Sequence, residues 1–158
     1  MNEIKKITSF TVDHTVMEPG LFISRSDGDI TTYDLRTRKP NCGNYMDNRT
    51  MHSVEHMFAT YIRSSSLADQ VIYFGPMGCQ TGFYLLMRDA EHETVKSVIM
   101  ETLEKIIAHT GEMFGNTEIE CGNFRNLSVE DAQKESKMYL EVLKNDTYNF
   151  MYPKGDLK

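Results

Sequence analysis

Short runs rich in β-branched and aromatic residues fill the first forty residues, and helical spacing of apolar side chains begins only after them. Ile7 to Val12, Leu21 to Ser24 and Ile30 to Leu35 read as strands, with Ser26-Asp27-Gly28-Asp29 as a hairpin turn between the last two. Met51, Val54, Phe58, Tyr61 and Ile62 follow helical spacing, which predicts an amphipathic helix over 49–66. Two further strands, Val71 to Phe74 and Phe83 to Met87, flank a loop that carries Gly75, Gly78 and Gly82. A second helix carries Val95, Val98, Ile99, Leu103, Ile106 and Ile107 and stops at Gly111. A third opens at Ser128, with Asp131 as its capping-box partner. Strands cluster first and helices are interspersed later without strict βαβ alternation. That order predicts an α+β fold, with helices packed on a largely antiparallel sheet.

The chain has 158 residues and no internal repeat or linker, so a single domain over 1–158 is expected. A chain of this size builds a core without staples. Lys plus Arg is 17 against 23 for Asp plus Glu, a net charge of −6. Such a balance argues against nucleic acid or an anionic membrane as a partner held by bulk charge. The longest purely apolar run, Phe83 to Met87, is far short of a membrane span. No apolar stretch follows the two lysines of MNEIKKITSF, so no signal peptide is expected. Three widely separated cysteines, Cys42, Cys79 and Cys121, do not make a disulfide scaffold. A cytoplasmic protein with reduced thiols is expected.

The sharpest local signal is His52-Ser53-Val54-Glu55-His56. Two histidines four apart project from one face of a helix, where both imidazoles reach one metal ion. Glu55 lies about 60° around from His52, so its carboxylate flanks such a metal without ligating it. Alone, the pair is as well explained by two partly exposed histidines beside a solvated glutamate. Catalytic sites of this kind take three protein ligands and leave a position open. Cys121, in Glu120-Cys121-Gly122-Asn123, and Cys42, in Asn41-Cys42-Gly43-Asn44, are both candidates, and spacing alone does not choose between them. Cys79 sits in a glycine-rich turn, the setting either of a reactive thiolate or of a packed cysteine in a tight connection.

Three motifs in this order resemble the S-ribosylhomocysteine lyase family, the bacterial autoinducer-2 synthases. They are His52-x-x-Glu55-His56, the run Pro76-Met77-Gly78-Cys79-Gln80-Thr81-Gly82-Phe83-Tyr84, and Glu120-Cys121-Gly122. Ser9-Phe10 with Asp13-His14 is similar to the family's N-terminal strand, and Tyr33-Asp34-Leu35-Arg36 with Pro40-Asn41 to its next motif. The resemblance implies His52, His56 and Cys121 as metal ligands and Glu55 and Cys79 as acid–base residues. It implies Ser9, His14, Arg36 and Arg63 as substrate-binding residues. It further implies a homodimer with active sites at the interface, and one ferrous ion per subunit, a site that zinc or cobalt can also occupy. Two departures stand out: Tyr73-Phe74-Gly75 where the family usually has Asp-x-Ser, and Leu127 where members often have histidine.

The implied reaction converts S-ribosylhomocysteine to homocysteine and 4,5-dihydroxypentane-2,3-dione. The sulfur is on C5 and the carbonyl at C1, so the carbonyl must migrate to C3 before β-elimination expels the thiolate. A Lewis-acid metal and two bases suit those proton transfers. The rival readings are a metallopeptidase using His-x-x-Glu-His, a closed four-ligand metal module, and a cysteine hydrolase with Cys79 as nucleophile.

Overall fold

A computed structural model describes residues 3–154. The first two residues of the stretch read for a leader, and the last four of the expected domain, lie outside the described residues. The elements run β1 (Gly20–Asp27), β2 (Ile30–Arg36), α1 (Asn48–Ile62), β3 (Val71–Pro76), β4 (Gly82–Arg88), α2 (His92–Ala108) and α3 (Val129–Lys144). All four strands join one antiparallel sheet in the order β1-β2-β4-β3. The α+β expectation holds, with the three helices packed on one another and on this sheet. The turn between β1 and β2 falls within Ser26-Asp27-Gly28-Asp29 as expected, with Gly28 at φ 60°.

One contiguous core fills the space between sheet and helices. Leu21, Tyr33, Leu35, Phe83, Leu85 and Met87 supply the sheet side, and α1 supplies Val54, Met57, Phe58 and Ile62. Burying a Leu, Ile, Val or Phe side chain is worth roughly 1.5–3 kcal/mol, so the apolar stripe of α1 is what holds the helix down. Its opposite edge, with His52, Glu55 and His56, stays partly exposed. Among the described residues no helix is long and apolar enough to cross a membrane.

Three local expectations need correction. Ile7 to Val12 is not a strand: Thr8–Phe10 forms a single 3-10 turn. A strand needs a neighbour to take its backbone groups. Here Thr11 turns back instead, its N–H and hydroxyl both donating to the Thr8 carbonyl at 3.0 and 2.6 Å. Beside β1 lies a later segment, since the Ile23 N–H donates to the Phe150 carbonyl at 2.9 Å and Phe22 forms a parallel bridge with Phe150. Helix α1 ends at Ile62, not at 66. The hydroxyls of Ser64 and Ser65 donate to the carbonyls of Thr60 and Ile62, competing with helix propagation. At α3, Ser128 caps the helix by accepting the Asp131 N–H at 3.2 Å, but the reciprocal half of the box is missing. The Ser128 N–H donates to Ser53 of α1, and the Asp131 carboxylate pairs with Arg49.

Candidate metal centre and proton-transfer groups

Asp47 starts α1 by accepting the Thr50 N–H at 2.7 Å, which sets the helix phase that His52 and His56 inherit. Their rings lie with centroids 4.7 Å apart and nearly perpendicular. The segment after α2 runs back across this face and is pinned to α1 twice. Asn126 donates to Asn48, and the Ser128 N–H donates to Ser53 Oγ at 2.8 Å. Between the pins and a turn at Thr117, whose carbonyl accepts the Cys121 N–H at 3.0 Å, the Cys121 sulfur comes to 3.4 Å from His52 Nε2. One donor atom from each of His52, His56 and Cys121 lies within 4.8 Å of the others. Cys42 is elsewhere, exposed and donating to the Lys39 carbonyl.

The donor set fits a divalent, borderline-soft metal: two imidazoles and one thiolate, three ligands with room for a fourth. The shell behind it supports that fit. His56 Nδ1 lies 2.8 Å from the Phe114 carbonyl, which holds its proton there and turns Nε2 toward the group. Phe114 is itself fixed: the Tyr61 hydroxyl and His109 Nδ1 are 2.7 Å apart, His109 Nε2 meets the Glu112 carbonyl, and the His109 and Phe114 rings pack edge to face. Gly115 follows with φ +65°, and a Cβ there would press on His56 Nδ1 at 3.1 Å. Only glycine meets both demands at no cost. The Asn123 N–H donates to Cys121 Sγ at 3.4 Å. Burial pushes the pKa of His52 below its ordinary value, His56 adds to the effect and Glu55 opposes it. The neutral imidazole is the form that ligates.

Glu55 lies three residues after His52 and directly before His56, and it shares a cleft of about 410 Å³ with His56, Thr60, Tyr73, Phe114 and Gly115. Cys79 occupies a different cleft, of about 290 Å³, with His14, Asn41, Tyr45 and Thr81. The exposed thiol stands 3.1 Å from Thr81 Oγ1 and 3.7 Å from Arg36 Nη1. Gly82 is what brings this loop onto β2, because a Cβ there would lie 2.7 Å from the Leu35 carbonyl oxygen. Arg36 is buried, and both Asp34 oxygens accept from it. Burial works against its charge, but Asp34, with Cys79 and Tyr152 adding, outweighs burial and raises its pKa.

With this geometry in place, comparison with known proteins is decisive. Residues 7–149 match the family model described as S-Ribosylhomocysteinase (LuxS). The chain belongs to the S-ribosylhomocysteinase family. Proteins named S-ribosylhomocysteine lyase from Desulfotalea psychrophila and Finegoldia magna are 40% identical to it over 158 and 156 positions. Each match covers 95% of this chain and 99% of the relative. A Borreliella burgdorferi protein of the same name is 37% identical over 157 positions, covering 95% of this chain and all of its own. This S-ribosylhomocysteinase homologue is therefore an enzyme of the carbon–sulfur lyase class. The metallopeptidase and hydrolase readings fall with that assignment.

The remaining residues expected to bind substrate are dispersed in the S-ribosylhomocysteinase chain. His14 lines the Cys79 cleft and Arg36 touches the thiol. Ser9 lies on the N-terminal 3-10 turn, and Arg63 caps the end of α1, where it donates to the Ile72 carbonyl. Neither lines the two clefts. At the first departure, the Tyr73 ring folds over Gly75 so closely that its hydroxyl overlaps the place of a residue-75 Cβ. The two changes are thus coupled: the tyrosine needs the glycine. Leu127, the second departure, packs against the core. No sequence motif marks the Phe114 carbonyl or Gly115, whereas Asp34 lies in the Tyr33-Asp34-Leu35-Arg36 motif without a role of its own being implied there.

Proposed function

We propose that this chain is a metal-dependent S-ribosylhomocysteine lyase, releasing homocysteine and 4,5-dihydroxypentane-2,3-dione by two carbonyl migrations and a β-elimination. The convergence of His52, His56 and Cys121 beside Glu55, in a chain of this family, carries the reading. Those three residues hold a divalent metal, ferrous iron in the native enzyme, with zinc or cobalt able to replace it. When bound, the metal supplies a Lewis acid at the sugar oxygens. Cys79, as thiolate, takes the proton next to the carbonyl and returns it to the neighbouring carbon in each migration. Glu55 works from the other side of the sugar and takes the proton whose loss expels the homocysteine thiolate. Each such group is typically worth 10²–10⁴-fold.

The Cys79 cleft and the Glu55 cleft have no lining residue in common. A homodimer in which one copy's Cys79, Arg36 and His14 face the partner copy's metal centre brings both bases onto one sugar. Strongly exposed apolar residues support such an association, Ile4 at 96% and Ile119 at 98% among them. Ser9 and Arg63 then complete the substrate contacts, and Tyr73 with Gly75 sets a homocysteine-end environment different from that of the family at large. One lyase domain over 1–158, with three reduced thiols, belongs in the cytoplasm.

The test is anaerobic purification, metal analysis, and thiol release from S-ribosylhomocysteine. Stoichiometric metal with thiol release is expected. Metal-loaded protein that releases no thiol sinks the proposal.

A further inference from the structure

The buried carboxylate of Asp34 takes no part in the proton transfers above, yet it makes three hydrogen bonds. Its Oδ1 accepts from Arg36 Nε at 3.1 Å, and its Oδ2 accepts from Arg36 Nη2 and from the Tyr152 hydroxyl, both at 2.7 Å. The remaining guanidinium nitrogen, Nη1, donates to Thr81 Oγ1 at 2.8 Å and faces Cys79 Sγ. Four side chains therefore form one continuous path from the segment after α3 to the thiol. Tyr152 is well anchored at its end of the path. Its ring stacks on Phe22 with centroids 4.8 Å apart, and two residues earlier the Phe150 carbonyl is bonded to β1. Burial, then the charge of Asp34, push the phenol's pKa far above its ordinary range, so it remains a donor wherever the enzyme works.

We infer that Tyr152 is a positioning residue for Cys79, fixing Asp34 so that the free edge of the Arg36 guanidinium stays aimed at the sulfur. The physical reason is charge distribution along the path. A carboxylate shared by three donors gives up part of its charge to each. Without the phenol, Asp34 turns its whole charge on Arg36 and is free to swing, and the sulfur faces a weaker, less fixed cation. Other groups near the thiol are the Tyr84 phenol, which feels the charges of Asp34, Arg36 and Cys79, and the cleft residues His14 and Tyr45. None of them bonds to Tyr152, so they stay constant in the comparison. The consequence for turnover rests on the reading of Cys79 as the thiolate base; the positioning itself does not.

Tyr152→Phe keeps the ring on Phe22 and removes only the donor. In the metal-loaded full-length protein, the rate of Cys79 alkylation by iodoacetamide is followed against pH, resolved by peptide mass spectrometry. The profile is expected to move to higher pH, with the rate at pH 7 falling about threefold as thiolate becomes scarcer. Alkylation of Cys42 and metal content should not change, and kcat should fall while KM holds. Tyr148→Phe removes a hydroxyl from the other ring against Phe22 and should leave the Cys79 profile in place. Should Tyr152→Phe fail to fold, 3-fluorotyrosine at position 152 gives a stronger donor, and the profile should move to lower pH. A profile that stays put in the folded variant overturns the inference. If the profile moves but thiol release does not slow, the positioning stands and Cys79 is not the base.

Discussion

The metal corner and the thiol corner of this molecule are held by opposite means. His52 and His56 ride on a regular helix, and what fixes them is repetition: a capped start, an apolar stripe in the core and a loop strapped across by backbone bonds. Cys79 sits in a loop where Gln80 holds a left-handed backbone at φ 66°, and what fixes it is a buried ion pair with its own hydroxyl partners. The first corner rests on no buried ion pair, so losing one of its side chains should cost the metal site far more than the fold. The second is brittle. Breaking a buried pair by removing one partner leaves an uncompensated charge and costs about 3–5 kcal/mol.

The largest expected effect tests the metal corner. His52→Ala, His56→Ala or Cys121→Ala should strip the metal and abolish thiol release, because two ligands do not hold an open-site ion. Cys42→Ala should do neither, and metal analysis of the purified variants decides. Next come the two bases. Cys79→Ala and Glu55→Gln should retain metal and each lose about 10²–10⁴-fold in turnover. NMR in heavy water should separate them: no deuterium enters at C2 of the sugar without Cys79, whereas without Glu55 exchange persists and the sulfur stays attached. Near-normal homocysteine release by Cys79→Ala would end the two-base scheme.

The brittleness of the thiol corner is checked by Asp34→Ala, which should lower stability by about 3–5 kcal/mol in denaturant titration while metal stays bound. A loss under 1 kcal/mol would erase the contrast between the corners. Gly115→Ala probes the metal corner's back wall. Strain at φ +65° should cost about 1–2 kcal/mol, and the push on His56 should weaken metal binding about tenfold, as loss of outer support does. Smallest is Ser128→Ala, expected to cost about 1 kcal/mol as a lost cap, with metal and turnover intact.

The same contrast explains what could be read in the residues. Helix-borne features show in sequence because 3.6-residue periodicity converts spacing into direction; the shared face of His52 and His56 follows from it, while a metal role for that face is implied only by the resemblance to the family. The choice of Cys121 over Cys42 was open on spacing, because it depends on a loop pinned by Asn126 and Ser128 to partners about 75 residues away. Ile7 to Val12 has strand composition yet forms a 3-10 turn at Thr8–Phe10, because β propensity describes a surface that fits a sheet and says nothing about whether an edge is vacant. Asp34 and Arg36 stand together in one sequence motif, but nothing there points to Tyr152 as their partner, 118 residues from Asp34 and ordinary in type.

The bridge between Phe22 and Phe150 also bears on the order of synthesis. Chains emerge N-terminus first, at roughly 5–20 residues per second, and fold as they emerge. The β1–β2 hairpin, with Asp34 and Arg36 on it, is made early, but the phenol that completes its buried charge cluster is made some 118 residues later. A nascent chain can thus assemble its helix-borne histidines while Asp34 still lacks its last donor. The thiol corner matures only once residues 150–152 are free to lie down beside β1.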